Sequence, residues 1–112
     1  TNQYQMEELE LQSIPQNAKF GMYIKGNSME KSIYENDIIL IDPSAIISDE
    51  LNDEIVVALF GDELVCKRVS IDSVNQVYNF NSDNPNEKNK SRINQKCSDF
   101  KLIGKVVHVI HR

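Results

Sequence analysis

The stretch Glu54-Ile55-Val56-Val57-Ala58-Leu59-Phe60-Gly61-Asp62-Glu63-Leu64-Val65-Cys66-Lys67-Arg68-Val69-Ser70-Ile71-Asp72 decides the fold. Glu54 to Phe60 is a run of apolar, β-prone residues, and Glu63 to Asp72 continues with the same character. Between them Gly61-Asp62 is a two-residue loop with glycine first, the signature of a type II′ hairpin turn. The stretch therefore predicts two long antiparallel strands.

Working outward, Ile38 to Asp42 reads as a short buried strand ended by Asp42-Pro43. Phe20, Met22 and Ile24 alternate with Gly21, Tyr23 and Lys25, the period of a half-buried strand. Gly26-Asn27-Ser28 breaks that pattern as a turn, and Met29 to Ser32 is expected to form a single helical turn. On the other side, Val74 to Asn81 predicts a strand and Leu102 to His111 the last one. Residues 79–94 hold six asparagines and Pro85, which predicts a loop. Residues 1–19 keep neither period and are read as a linker arm with one short strand, leaving 20–112 as the domain. No internal repeat is present.

Composition agrees with a sheet. The 13 isoleucines and 9 valines outnumber 3 alanines and 7 leucines, an excess of β-branched side chains that favours strands over helices. At 112 residues the chain fits one domain. Its apolar runs are too short for a bilayer span, which needs about 20 residues. No leader pattern is visible, the start at Thr1 reads as that of a fragment, and two cysteines point to a reducing, cytoplasmic setting. The net charge of −5 speaks against general nucleic-acid binding by this chain itself. Charge is uneven: residues 1–66 hold 13 acids and 3 bases, and residues 67–112 hold 4 acids and 9 bases. The basic side chains Lys88, Lys90, Arg92, Lys96, Lys101 and Lys105 lie among Asn and Ser without base-stacking aromatics, so a solvated loop and edge is preferred to a phosphate-binding patch.

Few residues offer chemistry. There is no GxGxxG, Walker loop or CxxC. His108 and His111, three apart on a strand, point to opposite faces and make a poor metal pair, so no metal or cofactor is expected. Two features remain. Gly26-Asn27-Ser28-Met29-Glu30 places a hydroxyl in a sharp turn after a buried strand, where consecutive N–H groups can converge as an oxyanion hole requires; taken alone, such a serine is an ordinary turn residue. Strand alternation puts Lys67 on one face with Val65 and Val69, and Cys66 with Arg68 on the other. A lysine there usually reaches out to water. If the valine face is buried, desolvation lowers its pKa. That matters because a free lysine is neutral in only about one part in 2,500 at pH 7. A neutral amine could accept a proton from a serine hydroxyl, as in Ser-Lys nucleophile–base pairs.

Taken in order, Phe20-x-x-x-Ile24-Lys25-Gly26-Asn27-Ser28-Met29-Glu30 and Asn36-Asp37-Ile38-Ile39-Leu40-Ile41-Asp42 resemble the nucleophile segment of the LexA / phage CI-type repressor / UmuD family of self-cleaving Ser-Lys peptidases. Asp53-Glu54-Ile55-Val56-Val57-Ala58 and Val65-Cys66-Lys67-Arg68-Val69 resemble its base-bearing half, and Asn84-Pro85 and Ile103-Gly104-Lys105-Val106-Val107 its closing elements. The resemblance runs from Phe20 to Arg112. It implies a mostly β, LexA/signal-peptidase-like C-terminal domain of several short twisted strands with hairpins. By the same resemblance Ser28 is the nucleophile, Lys67 the general base, and the N–H groups of Asn27 and Ser28 the oxyanion hole. Two departures bear on turn geometry: Lys31 stands where many members have Pro, and Asn36 replaces the Gly of a G-D pair.

Members of this family cut a small-residue–Gly bond upstream of the turn. Here the four glycines follow Phe20, Lys25, Phe60 and Ile103, so the chain holds no such bond. Type I signal peptidases share the turn and the lysine strand but need a membrane anchor, which this chain lacks. The implied function is the C-terminal domain of a phage-type or SOS-type repressor, dimerising it and carrying a latent serine autopeptidase. Implied partners are a second copy, a RecA–single-stranded DNA filament as co-inducer, and operator DNA through a helix-turn-helix domain that is not in this chain. The alternatives are an idle dimerisation or anti-repressor-docking module, and a UmuD-like accessory protein.

Overall fold

In the computed structural model, residues 14–112 are described. They form seven strands: β1 (Phe20–Tyr23), β2 (Ile38–Asp42), β3 (Ile55–Phe60), β4 (Glu63–Asp72), β5 (Val77–Asn81), β6 (Arg92–Gln95) and β7 (Lys101–Ile110). Three short 3-10 turns, at Asp49–Leu51, Pro85–Lys90 and Cys97–Asp99, are the helical elements among the described residues. The strands make one antiparallel sheet in the order β1-β2-β7-β3-β4-β5-β6. The mostly β expectation holds. Of the arm expected over 1–19 with one short strand, residues 1–13 lie outside the described residues, and 14–19 hold no strand.

The β3–β4 hairpin forms as read. Phe60 pairs with Glu63 across Gly61-Asp62, and Gly61 has φ +63° while Asp62 does not turn positive, the pattern of a II′ turn. Along β4, Val65, Lys67 and Val69 are all buried. The register sets Val56 opposite Lys67, Ala58 opposite Val65, and Val57 opposite Cys66. Val56, Ala58, Val65 and Val69 thus join Phe60, Tyr78 and Phe80 in one core, in which the Phe60 and Phe80 rings meet edge to face at 5.1 Å. Val57 and partly buried Cys66 belong to a second core with Met29, Ile33, Ile39 and Ile41.

Two expectations are corrected by local side-chain chemistry. The strand expected from Val74 begins only at Val77, because Asp72 accepts from the Asn75 N–H (3.1 Å) and from Asn75 Nδ2 (2.8 Å) and folds residues 72–76 into a turn. Val74 is left 90% exposed, its β propensity outweighed by these bonds. The loop expected over 79–94 instead holds the Pro85–Lys90 turn and β6. Asn84 caps that turn by accepting from the Asn86 N–H at 3.0 Å, and Pro85 starts it. In β6, the Asn79 side chain accepts from the Asn94 N–H at 2.8 Å where the ladder is irregular. Asparagine, counted as a loop former, here supplies the bonds that order the segment. β1 is also shorter than Phe20–Lys25, although Ile24 still exchanges backbone bonds with Asp37 and Asn36.

One buried acid fastens the end of the chain. Asp37, only 3% exposed, accepts from the N–H groups of Tyr34 (2.9 Å) and Arg112 (3.1 Å) and lies 2.7 Å from His111 Nδ1. Burial alone would raise its pKa, but these hydrogen bonds and the nearby imidazole together hold it below the usual carboxylate value. A depressed folded pKa means stability that is complete above the unfolded value of about 4 and lost as pH falls through the folded one. Asp37→Asn should therefore cost about 1–3 kcal/mol at neutral pH and flatten the loss of stability in acid, as read by denaturant unfolding from pH 7 to pH 2.

Candidate active site

The Ser28 turn is built by what flanks it. Ile24 donates to the Asp37 carbonyl and accepts from the Asn36 N–H, both at 2.9 Å, so the chain on either side of the turn is drawn together. Gly26, at φ +81°, makes the reversal that residues with a Cβ resist, and its N–H donates to Glu35 Oε1 at 3.1 Å. Past the serine, Ser32 and Ile33 donate to the Met29 carbonyl at 2.8 and 2.9 Å, a hydrogen-bonded turn in place of the helical turn expected there. Met29 and Ile33 are buried and pin that turn to the second core.

Lys67 comes to this turn from 39 residues further along, and its Nζ donates to Ser28 Oγ at 2.8 Å. The lysine is 5% exposed. Its burial is the largest influence on the amine and pushes the pKa below the ordinary lysine value; Lys90 and Arg92 push the same way, and Glu63 opposes them. Cys66, whose thiol is itself driven up to about 12 by burial, is the next influence and acts the other way, raising the amine. Both side chains open onto a cleft of about 470 Å³ whose apolar wall includes Met22, Ile24, Val57 and Cys66. A buried amine in contact with a hydroxyl beside an apolar groove can deprotonate it for attack on a carbonyl carbon held there.

Other charges complete the surroundings. Arg68, next to the lysine, binds Asp83 through two bonds of 2.9 Å and also donates to the Asp53 carbonyl at 2.8 Å. Asp83 accepts from the Ser32 hydroxyl as well. Asn84 reaches the Ser28 turn itself: its N–H donates to the Ser28 carbonyl at 3.0 Å and its Nδ2 to the Asn27 carbonyl at 2.9 Å. Sequence reasoning singled out Ser28, Lys67 and Asn27 but not Asp83, Ser32 or the contact made by Asn84. The run Ser82-Asp83-Asn84-Pro85 carried the available signal, short polar side chains before a proline.

None of the histidines and basic residues weighed earlier lines the cleft, although Lys90 and Arg92 act on Lys67 through their charge. His111 is at Asp37, away from the cleft. Among the basic residues, Lys88 donates to the Ser82 carbonyl, Lys90 pairs with Glu87, Arg92 pairs with Glu63 and covers the Phe60 ring, and Lys105 faces Glu54.

The model of the S24-like peptidase family matches residues 1–107, nearly the whole chain. The protein belongs to the S24-like peptidases. A comparison with curated proteins gives no match. Membership places the chain in a serine peptidase family and in the class of LexA, UmuD and phage CI C-terminal domains, in accord with its antiparallel sheet. Among its described residues, no helix is long and apolar enough to cross a membrane.

Proposed function

We propose that this S24-like domain is the C-terminal part of a phage-type or SOS-type repressor that inactivates itself by cutting its own chain, with Ser28 as nucleophile and Lys67 as base. The observation that carries this reading is the 2.8 Å contact between a buried lysine amine and the Ser28 hydroxyl.

When protonated the lysine donates to Oγ across this contact; once neutral, it accepts the hydroxyl proton as Oγ attacks the carbonyl carbon of the scissile peptide. The oxyanion that forms is met by the N–H groups of Asn27 and Ser28. Protonated Lys67 then passes its proton to the leaving amine, the peptide C–N bond breaks, and water hydrolyses the ester on Ser28. The scissile small-residue–Gly bond belongs to the parent chain upstream, since none occurs in these residues. In that parent a helix-turn-helix domain binds operator DNA and this domain pairs with a second copy. Cleavage would leave each half-site bound alone and weaker. A RecA–single-stranded DNA filament is the proposed cytoplasmic co-inducer.

The test uses the full-length parent, incubated alone from pH 6 to 10 and with activated RecA filament at neutral pH, with fragments read on a gel. Cleavage that rises with pH and is lost in Ser28→Ala and Lys67→Ala, with dimers intact in both, is the expected result. No cleavage under any condition, with an intact dimer, would instead make this a dimerisation or anti-repressor-docking module.

A further inference from the structure

The two bonds from Asn84 fall on consecutive peptide units of the nucleophile turn. Nδ2 holds the Asn27 carbonyl, which among the described residues also takes a long 3.3 Å bond from the Glu30 N–H, and the Asn84 N–H holds the Ser28 carbonyl. In a trans peptide the N–H points opposite to the carbonyl of the same plane. Fixing the Asn27 carbonyl toward Asn84 therefore fixes the Ser28 N–H away from it, and fixing the Ser28 carbonyl does the same for the Met29 N–H. Asn84 is itself held: it is 7% exposed, its Oδ1 accepts from the Asn86 N–H, and the preceding Asp83 is gripped by Arg68 and Ser32. All the polar atoms of its amide group thus have defined partners, and only one orientation of the side chain serves both.

From this we infer that Asn84 is a positioning residue for the oxyanion donor: its Nδ2 sets the Asn27–Ser28 peptide plane, and so the aim of the Ser28 N–H. The role in catalysis rests on the peptidase reading above, while the setting of the plane does not. Preorganised donors are where much of the rate of acyl transfer resides, because a plane that must rotate during the reaction loses that advantage.

Asn84→Ala and Asn84→Asp in the parent chain separate the contributions. The aspartate keeps the acceptor for Asn86 and the backbone bond to Ser28, and replaces the donor to Asn27 with a carboxylate oxygen that repels that carbonyl. Expected are broadened or doubled amide cross-peaks centred on Ser28 in both variants, and a plateau rate of self-cleavage lower by about 10²-fold, the scale of one oxyanion donor. In Asn84→Ala the pH midpoint of the rate should stay that of the parent, because the groups facing Lys67 (Glu63 and Cys66 on β4, Lys90, Arg92 and Ser28) are unchanged. A loss of stability alone would lower the melting temperature without lowering the plateau of the folded fraction. Unaltered Ser28 cross-peaks in both variants would overturn the inference whatever happens to cleavage, and altered cross-peaks with a parental plateau would overturn the positioning role. Should the parent itself not cleave, the peptidase reading fails, and the cross-peaks alone still decide whether Asn84 sets the plane.

Discussion

Lys67→Met is expected to lower self-cleavage of the parent by about 10²–10⁴-fold, the usual worth of a positioned general base, while making the domain more resistant to denaturation. The two effects share one cause. Methionine fills a similar volume between Val65 and Val69 without an amine to strip of water. Burial depresses the folded pKa of Lys67 below the unfolded value near 10.4. Between those two values the unfolded chain binds more protons than the folded one, so stability of the parental domain rises with pH across that window. Lys67→Met should abolish that rise. The cleavage rate should climb about tenfold per pH unit below the folded pKa of Lys67 and level off above it. Chemical denaturation at pH 7, 9 and 10.5, together with the rate profile, checks both. A variant that cleaves at the parental rate would remove Lys67 from the chemistry, and one less stable than the parent would show that the amine is a net structural asset.

Gly104→Ala should be the most damaging small change in the sheet. Gly104 lies in β7 opposite Val57, next to an irregularity in the β3–β7 ladder. A Cβ there would stand 2.5 Å from Ile41 Cγ2 and 2.6 Å from the Asp42 carbonyl oxygen. The second of these is backbone of a paired strand and has little room to yield. Overpacking of this kind is expected to cost about 3 kcal/mol or more. For a domain near 100 residues that lowers the melting temperature by about 12–20 °C, readable by calorimetry. Gly61→Ala makes a useful comparison: nothing lies within 4 Å of its Cβ position, and only the positive φ opposes the change. Its cost should be about 1 kcal/mol.

The strands were legible where one face is apolar and the turn chemistry is explicit. The β3–β4 hairpin follows from alternation and Gly61-Asp62, and the limits of β2 and β4 match the reading residue for residue. What escaped was ordered by side chains bonding to backbone: Asp72 converting Val74 to a turn, and Asn79 and Asn84 organising a segment that composition alone marks as loop. Such bonds have no periodicity to read. In the site, the turn of Ser28 was visible as a local pattern, whereas alternation placed Lys67 on the Val65/Val69 face without saying that this face is buried, and their contact joins residues 39 apart and could be inferred only through resemblance. Asp83 and Asn84 were harder still, since neither a carboxylate nor an amide in an asparagine-rich stretch announces what it holds.

The place of β7 in the sheet has a consequence for how the site is assembled. Among the described residues, pairing links β1 and β2 to β3 through β6 only by way of β7, the last of the seven in chain order. Before β7 is in place, Ser28 lies in the connection of the two-stranded β1–β2 ribbon and Lys67 in a separate four-stranded piece, with no ladder between them. The contact between Ser28 and Lys67 is therefore expected to form only once β7 has joined the two pieces. Loosening β7 should separate the pair before either piece loses its own ladder.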